Sequence, residues 1–242
     1  MITTPRETLN EQILQLIDHD QHRFMVRNPM AQWTFKPELA LNIVDSIFTE
    51  KHKRHSGRCV RDHFYAVGGY NEQRELVIKN LPEQEQILGI FHDFFEDTRL
   101  KPEDSLEWGI APETVRRLKL TTRYEFQARS SNKTDKEAYC DYIEILANDR
   151  ICAKNKYRDT KDNYTTDPHH SYRKRLKKAV TMAYLKAIIE DDIPAGTSFI
   201  DFAEKHPEKL PTDEYRQHDI EKWIQDNSTH SQEQTFYYQL NR

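Results

Sequence analysis

Glycine is scarce in this chain, with 6 in 242 residues, and cysteine scarcer, with 3. The cysteines, Cys59, Cys140 and Cys152, are odd in number and form no CxxC pair, so they read as reduced thiols in a cytoplasmic protein. No apolar run reaches the ~18 residues of a membrane-spanning helix. The N-terminal stretch MITTPRETLNEQ lacks the apolar core of a signal peptide. A strong charge of either sign is also missing. The formal net charge of −4 favours neither a nucleic-acid partner nor a membrane surface. No internal repeat, low-complexity tract or sustained period-2 alternation occurs, which argues against a substantial sheet. Charged residues make up 31% of the chain and the mean hydropathy is −0.92. The composition predicts an all-α fold, long enough for one large domain or a domain with an appendage.

The apolar spacing organises the chain into helices. Leu9, Ile13, Leu16 and Ile17 predict a first helix over residues 7–26. A second, over 37–52, opens at Pro37, a residue suited to the first helical turn. A third, over 83–96, follows Pro82, and a short one occupies 112–120. The polar run ARSSNKTDK, 128–136, reads as a mobile loop. Tyr139, Tyr142, Ile143 and Leu146 then fall at i, i+3, i+4 and i+7, and residues 170–190 predict a last strong helix. Pro194, Pro207 and Pro211 mark a change of character beyond 191. The expected organisation is an N-terminal helix within 1–36 packed on the core, a principal domain over 37–190, and an extension of short helices and loops over 191–242. Its aromatic residues Trp223, Phe236, Tyr237 and Tyr238 are expected to pack on the core or on another subunit.

The stretch FHDFFEDT, 91–98, carries the chemistry. Read as a continuous helix, it sets Glu96 one turn beyond His92 and Asp97 one turn beyond Asp93, while Phe91, Phe94 and Phe95 line up with Ile87 and Ile90. One face is apolar; the other holds an imidazole and three carboxylates. That is either the solvated side of an amphipathic helix or one wall of a metal site. Adjacent side chains diverge by about 100° on a helix, so His92 and Asp93 share one ion only if it sits between their directions. Further ligands must come from elsewhere. The candidates are His52, His55 and His63 upstream and the acids of KNKYRDTKDN, 154–163, downstream. Two histidines and two aspartates with open positions suit Mn²⁺, and also Fe²⁺ or Zn²⁺, and such an ion lowers the pKa of bound water.

FHDFFEDT resembles the signature L-H-D-x-x-E-D-T of HD-superfamily hydrolases of the RelA/SpoT type, which act on guanosine alarmones. RHSGRCVRDHFYAV, 54–67, is similar to the family stretch R-K-x-G-x-P-Y-x-x-H-P-x-x-V, matching at Arg54, Gly57, His63 and Val67. It departs from it at Cys59, Val60 and Phe64. LKLTTR, 118–123, resembles the family's threonine stretch, and KYRDTKDN, 156–163, is similar to K-L-A-D-L-x-x-N at Lys156, Asp159 and Asn163. The resemblance covers roughly residues 40–188, with the matches in the family's order, and implies that 37–190 is an HD-type phosphohydrolase domain, a helical bundle.

The resemblance implies that His63, His92, Asp93 and Asp159 bind a divalent metal, Mn²⁺ foremost. It implies that Glu96 and Asp97 handle the attacking water, and that Arg54, Lys156 and Asn163 meet substrate phosphate or sugar. ILANDRI, 145–151, also resembles the family's L-A-D-R-L and offers Asp149 as fourth ligand. Asp159 is preferred because it keeps both the preceding lysine and the asparagine four residues on. The implied reaction is hydrolysis of a nucleotide, most concretely removal of the 3′-pyrophosphate of a guanosine alarmone. The chain is too short for a synthetase domain as well. The alternatives are an HD nucleotidase or pyrophosphatase for another nucleotide, or a catalytically silent HD-scaffold binding module. The expected partner is a nucleotide substrate, with no membrane, no nucleic acid, and a homo-oligomer left open. Arg158 and the run RKRLKK, 173–178, read as solvated basic faces.

Overall fold

The computed structural model describes residues 5–16, 35–54, 56–122, 137–167 and 170–227. The fold is all-α. Among the described residues the only β-type pairings are isolated bridges, Lys53 with Cys59 and Tyr70 with Leu76. No helix among them is long and apolar enough to cross a membrane. The chain divides into two compact units, residues 1–125 with 165–169, and residues 126–164 with 170–242.

The first unit contains α1 (Arg6–Leu16), α2 (Pro37–Ile47), α3 (Val60–Gly68), α4 (Glu83–Phe91), the short α5 (Phe94–Asp97), a 3₁₀ turn (Pro102–Leu106) and α6 (Pro112–Thr121). Pro37 and Pro112 each occupy a first turn, where a missing N–H costs nothing. The centre of the unit is α4, against which α2, α3 and α6 pack. Its residues Ile87, Leu88, Ile90 and Phe91 are fully buried. Helix α1 is tied down by polar contacts: Arg6 pairs with Asp104, and Trp108 Nε1 donates to Asn10 Oδ1 at 2.7 Å.

Two expected elements differ. The helix expected over 37–52 ends at Ile47: Phe48 turns out of helical geometry (φ −103°, ψ 87°), its N–H still bonded to Val44. Thr49 N–H then donates to His52 Nδ1 at 3.0 Å, so this histidine serves a local turn. The helix expected over 7–26 is seen from Arg6 to Leu16, and 17–34 lies outside the described residues. The helix expected over 83–96 is interrupted after Phe91. The loop expected over 128–136 lies outside the described residues.

The second unit contains α7 (Glu137–Ala147), α8 (Arg150–Thr166, whose last residues belong to the first unit), α9 (Tyr172–Ile189), α10 (Phe199–Lys205), a 3₁₀ turn (Pro207–Lys209) and α11 (Gln217–Asn227). Tyr139, Tyr142, Ile143 and Leu146 are all buried, as their spacing predicts. Residues beyond 191 contribute to this unit's core. Phe199 stacks on Tyr184 with ring centres 4.2 Å apart, and its N–H donates to the buried Glu144 at 2.8 Å. Trp223 is buried against Tyr139 and Phe199; Phe236, Tyr237 and Tyr238 lie outside the described residues. The three cysteines are buried and in thiol form.

Candidate metal centre

Two of the chain's few glycines set the geometry. A Cβ on Gly89 of α4 would come within 2.4 Å of the Val67 carbonyl oxygen and 2.7 Å of the Gly68 Cα, so α3 and α4 cross backbone against backbone. The close crossing brings His63, from the middle of α3, beside His92, the residue that follows α4. Both imidazoles are buried, at 1% and 3% exposure. Phe64 lies edge-on to His92 and to Phe48 and walls the pair on its apolar side.

The helix breaks at the residues that matter. His92 keeps helical angles, but Asp93 swings to φ −105°, ψ −4°, and α5 starts afresh from it. The Asp93 carbonyl accepts from the Glu96 and Asp97 N–H groups, while its side chain makes no capping bond. In a regular helix, adjacent side chains point about 100° apart. The break cancels that divergence: Asp93 Oδ2 lies 3.1 Å from His92 Nε2 and 3.6 Å from His63 Nε2. The two Nε2 atoms are 3.1 Å apart. The apolar residues of the same segment turn inward, as expected, and Phe91, Phe94 and Phe95 gather around Trp108.

These donors fit a cation. His92 Nδ1 faces the Gly89 carbonyl at 2.8 Å. A carbonyl only accepts, so the proton is on Nδ1 and Nε2 presents its lone pair, the usual arrangement of a metal-bound histidine. Ligand bonds of about 2.1 Å at angles between octahedral and tetrahedral separate neighbouring donors by about 3.0–3.4 Å, close to the spacings here. Within the first unit, His63, His92 and Asp93 thus offer donor atoms that could hold a metal ion.

Asp159 is buried on α8, with Oδ2 2.7 Å from Lys156 Nζ and Oδ1 accepting from the Asn163 side-chain amide. Its competitor Asp149 has another task. Asp149 Oδ1 accepts from the N–H groups of Ile151 and Cys152 at 3.0 and 3.2 Å and caps the start of α8. The L-A-D-R-L likeness therefore falls on a helix cap.

Glu96 and Asp97 are half-buried on α5. Burial, and then the neighbouring Asp93 charge, push the Asp97 carboxyl above its ordinary range; the Arg54 guanidinium is near enough to oppose the rise. Arg54 itself sits in a turn closed by Arg54 N–H to Arg58 and Gly57 N–H to Arg54, with Gly57 at φ +81°, which explains the glycine of that motif. Thr121 and Thr122 both donate to the Leu118 carbonyl and close the end of α6. Arg158 is half-buried rather than solvated, as are Lys177 and Lys178 at the end of RKRLKK. Lys177 Nζ lies 3.3 Å over the Tyr139 ring, and Lys178 Nζ donates to the Asn163 carbonyl. His55 lies outside the described residues. Sequence reasoning missed Gly68, Gly89 and the capping role of Asp149. The signal for the last was available, because an aspartate directly before a helix is a capping residue. Compared with known proteins, the chain matches no family model, no curated protein and no solved structure.

Proposed function

We propose that the chain is a metal-dependent phosphohydrolase of the HD type, acting on a nucleotide and most concretely removing the 3′-pyrophosphate of a guanosine alarmone. The observation that carries the reading is the convergence of His63 Nε2, His92 Nε2 and Asp93 Oδ2 within 3.1–3.6 Å of one another, with the His92 tautomer set by Gly89. In this reading Asp159 is the fourth ligand and the metal is Mn²⁺. A divalent cation bound there supplies Lewis acidity toward water and a phosphoryl oxygen. The protein's own groups do the rest. Glu96 and Asp97 orient or deprotonate the attacking water. Arg54 offsets charge on the phosphate. Lys156 and Asn163, assigned to substrate by the family likeness, have their polar ends on Asp159.

The test is incubation of the Mn²⁺-loaded protein with a panel of nucleotides that includes guanosine tetraphosphate, with products resolved by chromatography. Pyrophosphate with GDP supports the reading. Orthophosphate from a mononucleotide would move the substrate class to that of an HD nucleotidase. No turnover of any nucleotide by protein that binds Mn²⁺ would leave a binding module and overturn the enzymatic proposal.

A further inference from the structure

Lys156, Asp159 and Asn163 stand at i−3, i and i+4 on α8, so all three share one face of the helix. Lys156 Nζ takes Asp159 Oδ2 at 2.7 Å, and the Asn163 amide takes Oδ1. An ionised carboxylate has about four lone-pair sites, more than these two bonds take. The two bonds fix the carboxylate plane, which would otherwise turn about its terminal torsion. Asn163 is itself held. Lys178 of α9 donates to the Asn163 backbone carbonyl at 2.9 Å, in the last turn of α8. The Lys178 ammonium also lies 3.2 Å from His170 Nδ1. The arrangement is a chain of contacts, from α9 through Asn163 to Asp159, inside one unit.

We infer that Asn163, braced by Lys178, is a positioning residue for Asp159 rather than a substrate contact. The inference rests on the ligand set proposed above. It gives the K-x-x-D-x-x-x-N pattern a physical reason: the residues flanking the aspartate along the helix face hold it in the orientation that an ion needs. Such outer contacts are worth about 10–100-fold in metal affinity. Asn163 is the cleaner probe of the pair. Removing the Lys156 charge would lower repulsion of a cation at the same time as it freed the carboxylate, and these effects oppose each other.

The experiment is titration of the full-length protein with Mn²⁺ alone, by calorimetry and by the electron paramagnetic resonance signal of free Mn²⁺, alongside thermal unfolding. Asn163→Leu, near in volume but with no donor, is expected to bind Mn²⁺ about tenfold or more weakly. Asn163→Ser, whose hydroxyl is too short to reach the carboxylate, keeps a polar helix surface and should show the same loss if the leucine variant does not fold. Asn163→Gln, which retains an amide, should recover part of the affinity. A purely structural role would lower the melting temperature and leave the Mn²⁺ affinity of the folded protein unchanged; that result overturns the inference. Asp159→Ala separates the two levels. If it leaves Mn²⁺ binding intact, the four-ligand reading falls and this inference with it. If it abolishes binding while both Asn163→Leu and Asn163→Ser bind as tightly as the parent, only the positioning role falls.

Discussion

Gly89→Ala is the most exacting perturbation of this structure. Added to an ordinary helix, the methyl group would stabilise by up to about 1 kcal/mol through backbone entropy. Here the new Cβ would stand 2.4 Å from the Val67 carbonyl oxygen, and 2.7 Å from both the Gly68 Cα and the Val67 carbonyl carbon. Ordinary contact begins near 3.4 Å, so α3 and α4 must separate by about 1 Å, and no side-chain rotation can relieve a clash with backbone. Overpacking of this kind costs about 1–3 kcal/mol, so the net effect is a loss despite the helix propensity of alanine. For a chain of this size, each kcal/mol lowers the melting temperature by roughly 2–4 °C. The same shift moves the carbonyl that holds His92 Nδ1 and separates α3, which carries His63, from α4. Mn²⁺ affinity should therefore fall by about tenfold or more. Gly68→Ala is the internal comparison: its closest neighbour, at 2.6 Å, is the Ile90 side chain, which can move, and its nearest backbone atom is at 3.3 Å. Calorimetric melting and Mn²⁺ titration of both variants decide the matter. A Gly89→Ala protein that melts at or above the parent temperature, or one less affected than Gly68→Ala, would refute the backbone-contact argument.

Asp93→Ala should abolish Mn²⁺ binding and turnover together, whereas Glu96→Ala should bind Mn²⁺ normally and lose turnover; full turnover by the glutamate variant would remove its proposed role. Asp149→Ala should destabilise the fold by about 1 kcal/mol through loss of the α8 cap yet leave Mn²⁺ affinity alone, as denaturant titration and calorimetry will show. The Arg6–Asp104 pair sets a pH window. Burial alone would raise the Asp104 carboxyl, but the Arg6 guanidinium and the Lys101 N–H outweigh it and hold the folded value below the ordinary one. The contribution is therefore complete above the unfolded value of about 3.9 and lost as pH falls through the lower folded value. Arg6 is 43% exposed, so the stabilisation is at most about 1 kcal/mol. The stability difference between Arg6→Ala and the parent, read by urea titration, should be present at pH 6 and shrink below about pH 4.

The helices were legible where apolar spacing and local breakers agree, as with Pro37, Pro112 and the run from Tyr139 to Leu146. The break between α4 and α5 was not. Phe91, Phe94 and Phe95 continue the helical apolar period straight through it, so nothing in the pattern marks the turn at Asp93. The donors His63, His92 and Asp93 could be named from the motif, but their convergence depends on that break and on a helix crossing enforced by Gly68 and Gly89. Both are tertiary facts that local spacing does not encode. Asp149 and Asp159 each satisfy a short pattern, and only the flanking Lys156 and Asn163 favoured Asp159 in the sequence. Capping geometry separates them, since it occupies one carboxylate with backbone N–H groups.

Trp108 is 1% exposed, sits parallel to Phe95 with ring centres 6.0 Å apart, and lies edge-on to Phe91 and Phe94 on either side of the His92–Asp93 turn. An indole so enclosed emits to the blue of a solvated one and responds to any reorientation of its neighbours. The protein thus carries an optical reporter beside its proposed centre. Because Mn²⁺ is paramagnetic, loading the centre should dim that emission, and a diamagnetic ion of similar size offers the control.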